Sequence, residues 1–225
     1  MSDFHALLFG IYPYIAIAVL IIGSWLRFDR EPYTWKAHSS QMLSSKGMRI
    51  ASNFFHVGVI FILLGHFVGL LTPEAIYHHV ISTENKQLLA MVSGGFFGVI
   101  CFIGLSMLIY RRLFNPRISA TTGKMDIFIL LLLMVQLLLG LATIFVSMDH
   151  LDGSVMVQLA NWAQGIVMLD GMGAAREIVD VHIIYRLHIV VGLTMLLVFP
   201  FTRLVHVISA PIWYLGRRYQ IVRQR

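Results

Sequence analysis

Four histidines stand where a sequence built for lipid should hold none. His56 and His66 lie ten residues apart in NFFHVGVIFILLGHFVGLL, His188 lies in YRLHIVVG, and His206 lies in FPFTRLVH. A neutral imidazole carries one donor and one acceptor nitrogen, and leaving either unpaired in an apolar medium costs several kcal/mol. Ionisable groups inside a membrane therefore usually belong to a site. Two imidazoles facing each other from neighbouring helices suit the axial positions of a six-coordinate haem iron, with the remaining ring nitrogens held by nearby acceptors. The alternatives are a hydrogen-bonded buried histidine without metal and a proton relay. The relay usually recruits intramembrane Asp or Glu, which these apolar runs almost lack.

The elements that must position these rings follow from composition. Hydrophobic residues make up 58% of the 225-residue chain and charged residues only 12%, and the mean hydropathy is +0.78. Such a chain cannot cover its apolar surface in water. Five runs of bilayer-spanning length are expected at 4–26, 50–71, 88–110, 127–146 and 182–208. Backbone groups must pair internally in lipid, so each run is expected to be helical. The fold class is an all-α membrane protein, a five-transmembrane-helix bundle, expected as a single domain over 1–225. Asp152, Asn161, Gln164 and Asp170 interrupt the apolar stretch 151–172, which is expected as an extramembrane loop with an amphipathic segment. The start, MSDFH, lacks a positive n-region, so the first run is expected to be retained as a membrane helix.

Orientation comes from the basic residues. Fourteen of the seventeen Lys and Arg fall on one side: Arg27, Arg30, Lys36, Lys46 and Arg49; Arg111, Arg112, Arg117 and Lys124; Arg203, Arg217, Arg218, Arg223 and Arg225. The positive-inside rule puts that side in the cytoplasm and the N-terminus outside. The net charge of +6 thereby reflects topology and an anionic lipid surface, and no nucleic-acid-binding stripe is present. Cys101 is the single cysteine, which excludes an internal disulfide or thiolate cluster.

With that connectivity the second helix runs outward and the fifth inward. His56 and His206 share the inner half, and His66 and His188 share the outer half. The intervals are unequal, since ten residues rise about 15 Å and eighteen about 27 Å. Pro200 can kink the fifth helix between its two histidines. Eighteen residues also make about five turns, which would keep His188 and His206 on one face. Gly58, Gly65, Gly69 and Gly192 flank the histidines, either to admit a macrocycle or to pack helix on helix.

The chain resembles the gamma subunit, the dihaem cytochrome b, of bacterial respiratory nitrate reductase. The likeness runs end to end through IYPYIA, GSWLRFD, YTWKA, SSQML, KGMRIASNFFH, GHFVGLLTP, RRLFNPR, MDHLDGS, YRLHIVVG, FPFTRLVH and the YLGRRYQ tail. The resemblance implies two haem b groups, an inner one on His56 and His206 and an outer one on His66 and His188. It also implies a menaquinol or ubiquinol site beside the outer haem, around Gly65, His66 and Lys86. Without the resemblance, Lys86 would read as a lysine snorkelling to the interface. Arg186 and Arg203, each within three residues of a candidate ligand, are candidate propionate partners. The implied partners are an iron–sulfur beta subunit and a molybdenum-containing alpha subunit that reduces nitrate to nitrite. The implied location is the bacterial inner membrane, with residues 209–225 as a cytoplasmic docking tail anchored by Trp213, Tyr214 and Tyr219. A dihaem cytochrome b of a formate dehydrogenase or hydrogenase is the rival within the class. A haem-free, histidine-lined transporter is the rival outside it.

Overall fold

The structure, a computed structural model, describes residues 1–37, 39–149, 151–209 and 216. His38, His150, Trp213, Tyr214, Tyr219 and nearly all of the expected docking tail lie outside the described residues. Five helices are long and apolar enough to cross a membrane: α1 (Asp3–Arg30), α2 (Met48–Leu71), α3 (Thr83–Phe114), α4 (Lys124–Ser147) and the fifth, continuous over Ile183–Phe201. The regular part of that fifth span is α7 (Ile183–Val198). Between α4 and α7 lie α5 (Ser154–Val167) and α6 (Gly171–Glu177). No strand occurs among the described residues. Large apolar side chains such as Ile21, Leu63, Val92 and Phe145 point outward, as a lipid-facing surface requires.

Close neighbours are α2 with α3, α3 with α4, α4 with α7, and α7 with α1. The tightest crossing is α2 on α3, and two glycines create it. A methyl group at Gly58 would lie 2.6 Å from Cys101 Cβ, and one at Gly104 would lie 2.3 Å from the Phe55 nitrogen. Gly58 therefore serves helix packing, as small residues do in membranes. By contrast, α2 and α7 have no comparable backbone contact. The space between those two helices is where the four rings stand.

Two prolines break helical regularity. Pro13 has no N–H, so the Phe9 carbonyl loses its partner one turn back. The chain responds with a π-turn at Leu7–Ile11, and Trp162 Nε1 donates to that carbonyl at 3.0 Å. Gly10 then lets α6 approach, because a methyl group there would meet the Gly171 oxygen at 2.9 Å. His5 Nε2 bonds the Ala175 carbonyl at 2.8 Å, and Gln164 Nε2 donates to the Leu70 carbonyl at 3.0 Å. The expected amphipathic segment is thus a helix, α5, burying Ala160, Ala163 and Ile166 at three-residue spacing. With α6 it caps the end of the bundle that carries the N-terminus.

At the opposite end, Pro200 overturns the expectation of one helix over 182–208. The regular helix stops at Val198 and is followed by 3₁₀ turns at Phe199–Phe201 and Arg203–Val207. Thr202 between them is extended, at φ −116° and ψ 178°. Because the helix is broken, five whole turns do not place His188 and His206 on a common face. Gly23 makes room for the break, since a methyl group there would meet the Pro200 ring at 3.0 Å. Arg27 Nη1 ties it down, donating to the carbonyls of Pro200 at 2.6 Å and Thr202 at 2.8 Å.

Candidate functional site

The four membrane histidines meet in two pairs. The ring centres of His56 and His206 are 6.4 Å apart with planes at 71°, and those of His66 and His188 are 6.0 Å apart at 38°. A metal held between two imidazoles sets the ring centres about 6.3 Å apart, given about 2 Å from nitrogen to metal and about 1.15 Å from ring centre to nitrogen. Both spacings fit that span, and neither fits a direct imidazole hydrogen bond. Among the described residues no group of three or more His, Cys, Asp or Glu could hold a metal. Each pair therefore offers two imidazoles as candidate ligands.

Local backbone prepares three of the rings. Nδ1 of His56 donates to the Ser52 carbonyl at 2.7 Å, Nδ1 of His66 to the Ile62 carbonyl at 2.8 Å, and Nδ1 of His206 to the Arg203 carbonyl at 2.5 Å. Each bond reaches back one helical turn, fixes the tautomer, and leaves Nε2 with its lone pair for a metal. His188 is the exception. Its Nε2 lies 3.4 Å from the Gln136 amide nitrogen, and its Nδ1 is buried without a partner. The His188 ring leans on α4, where a methyl group at Gly140 would sit 3.1 Å from its Cε1.

The flanking glycines divide by environment. Gly58 faces α3, whereas a methyl group at Gly65 or Gly69 would meet nothing within 4 Å. Gly192 faces Gln136 at 3.1 Å. Gly65 therefore presents open backbone on α2 beside His66. Lys86 lies in the first turn of α3, behind the Ser82 cap, with its Nζ 3.6 Å from the centre of the Tyr77 ring. That cation–π contact holds the ammonium close to the bundle rather than extended toward headgroups. Tyr77 in turn bonds Thr83, and His78 pairs with Glu74 at 3.0 Å. Tyr77, Gln136 and Gly140 are the residues that sequence reasoning passed over. The lone glutamine in LLLLMVQLLLG was a legible signal for the second of these.

A buried charge cluster closes the end near His206. Asp126 at the start of α4 lies 3.4 Å from both Arg112 Nη1 and Arg203 Nε. Burial, with Arg112 close by, pushes the Arg203 pKa down to about 10, partly offset by Asp126. Arg203 remains a cation at neutral pH, and it also donates to the Ala37 carbonyl. Arg111 donates to the carbonyls of Lys46 and Ser44, the latter at 2.6 Å, and so pins the connection before α2. Arg186, the other propionate candidate, keeps a buried Nε without a partner.

Fold and site together define a five-span helical membrane protein with two stacked pairs of facing imidazoles. The chain belongs to the nitrate reductase gamma subunit family, whose model matches residues 5–225. It is 52% identical to the respiratory nitrate reductase 1 gamma chain of Escherichia coli (strain K12) over 225 residues, all of both chains. It is 51% identical to the nitrate reductase 2 gamma chain of the same organism over 217 residues, 96% of each chain. With the nitrate reductase gamma chain of Bacillus subtilis (strain 168) it shares 36% identity over 220 residues, 97% of this chain and 98% of that one. The chain is accordingly a membrane subunit of a multi-subunit oxidoreductase and a multi-pass protein of the bacterial inner membrane.

Proposed function

We propose that the chain is the dihaem cytochrome b subunit that takes electrons from quinol and delivers them to partner subunits that reduce nitrate. The observation that carries this reading is the pair of imidazole separations, 6.4 and 6.0 Å, between helices that lack the close backbone packing of their neighbours. His56 with His206, and His66 with His188, would hold one haem b each. When bound, the two groups supply one-electron chemistry at two depths of the membrane. The backbone carbonyls of Ser52, Ile62 and Arg203 hold the second nitrogen of three ligands and make those rings more basic.

The quinol site lies at the His66 level, on the outer side in the orientation that the basic residues favour. Gly65 leaves room for a flat ring beside the α2 backbone, and Lys86 supplies a donor for a quinone oxygen, steadied by Tyr77. Protons released there leave on the outer side while electrons move inward. Each charge moved across about 100 mV stores about 2.3 kcal/mol. The partners are an iron–sulfur beta subunit and a molybdenum-containing alpha subunit, docked on the cytoplasmic face that residues 209–225 share. Membranes holding the whole complex test this directly. Adding a quinol should reduce a b-type absorption band, and adding nitrate should reoxidise it. A band that quinol leaves unchanged would remove the quinol role.

A further inference from the structure

Building on the dihaem reading above, we infer that Gly140 is a positioning residue for the haem on His66 and His188, because its missing side chain seats the His188 ring. The other three rings are fixed from their own chain segment, where Nδ1 meets a carbonyl three or four residues back. His188 makes no such bond among the described residues, and its Nδ1 is buried without a partner. The surface that orients this ring is supplied by α4. A methyl group at Gly140 would sit 3.1 Å from Cε1, 3.7 Å from Nδ1 and 3.8 Å from Nε2 of His188. All three nearest atoms belong to that one ring, whereas at Gly104 they are backbone atoms of the neighbouring helix. Gly140 thus makes room for a side chain rather than for a helix.

Three contacts hold α4 and α7 in one antiparallel register around that seat. The Tyr185 hydroxyl, on a buried side chain, donates to the Thr143 carbonyl at 3.3 Å and shares a 2.6 Å hydrogen bond with the Ser147 hydroxyl. One turn along α7, His188 stands opposite Gly140. One turn further, Gly192 stands opposite Gln136, where a methyl group would meet the amide Nε2 at 3.1 Å. The steps from Tyr185 to His188 to Gly192 equal those from Thr143 to Gly140 to Gln136, so the contacts follow one line on each helix. Sliding or parting the helices would break the Tyr185 bonds. A methyl group at Gly140 must therefore move the ring itself, by about 0.4 Å to reach ordinary contact near 3.5 Å. Metal–ligand distances tolerate only about 0.2 Å. The same crowding at Gly192 meets the free end of a glutamine, which can adopt another rotamer.

Gly140→Ala and Gly192→Ala add one methyl group to opposite sides of the same seam, so a role in helix packing alone would make them equivalent. Electron paramagnetic resonance of the ferric haems, in membranes carrying the whole complex and with haem counted per chain, separates the two roles. The low-spin signal of the His66–His188 haem is identified as the one missing from His66→Tyr. In Gly140→Ala that signal is expected to shift or to give way to a high-spin one, while the His56–His206 signal stays in place. In Gly192→Ala both signals should keep their positions. An unchanged His66–His188 signal in Gly140→Ala, the same change in both variants, or equal change of both haems would overturn the role. Failure of Gly140→Ala to assemble would mark a packing function and overturn it as well. Fewer than two b haems in the unaltered complex would instead refute the dihaem reading beneath it.

Discussion

Replacing Gly104 with alanine tests the link between helix packing and the inner pair of histidines. The added methyl would sit 2.3 Å from the Phe55 nitrogen, 2.8 Å from the Phe54 carbonyl carbon and 2.9 Å from the Ala51 oxygen. All three are backbone atoms, so no side chain can swing aside. Ordinary contact near 3.5 Å requires α2 and α3 to separate by about 1 Å, and such overpacking costs about 1–3 kcal/mol. His56 follows Phe55 directly and moves with it, whereas His206 hangs from the far side of the bundle. Metal–ligand distances tolerate only about 0.2 Å, so a shift of about 1 Å is too large for unstrained bis-histidine ligation. The expected result in purified complex is loss of the haem on His56 and His206, or its conversion to a high-spin form, with the other haem kept. Gly94→Ala on the same helix is the matched control, because nothing lies within 4 Å of its added methyl, and both haems should remain. Two intact low-spin haems in Gly104→Ala, or equal loss of both, would refute the reasoning.

Further outcomes follow from the same geometry. His66→Tyr or His188→Tyr should each remove one haem while the second stays, which haem quantification reads directly. Lys86→Ala should weaken quinol oxidation with both haems retained, and unaltered quinol kinetics would take Lys86 out of the site. Asp126→Asn removes the carboxylate between Arg112 and Arg203, at a cost of about 3 kcal/mol for a buried pair. The thermal midpoint of the solubilised complex should then fall by about 6 °C or more; a midpoint within about 1 °C of the unaltered protein would contradict it.

Much of the fold was legible because lipid imposes simple rules. Unbroken apolar runs can only be helices there, and alternating connections put His56 level with His206 and His66 level with His188. Where the reading failed, a single atom was responsible. Pro200 suggests a kink from sequence alone, yet its missing N–H and the extended Thr202 end the helix outright. Pro13 gave no warning of a π-turn, because the Trp162 indole that takes up the freed Phe9 carbonyl lies 149 residues further along the chain. Gly58 and Gly65 look alike in sequence, and only the approach of Cys101 separates a packing contact from open backbone. Gln136 is the instructive omission. A lone amide in an apolar helix is costly to bury and asks for a partner, just as the histidines do, although it is no metal ligand.

On this reading each chain carries two haems on two histidine pairs. A dithionite-reduced minus oxidised spectrum of the purified complex, with haem extracted and counted, tests it most directly. The expected result is b-type bands and two haems per chain, both low-spin. One haem per chain, or no b-type band, would contradict it.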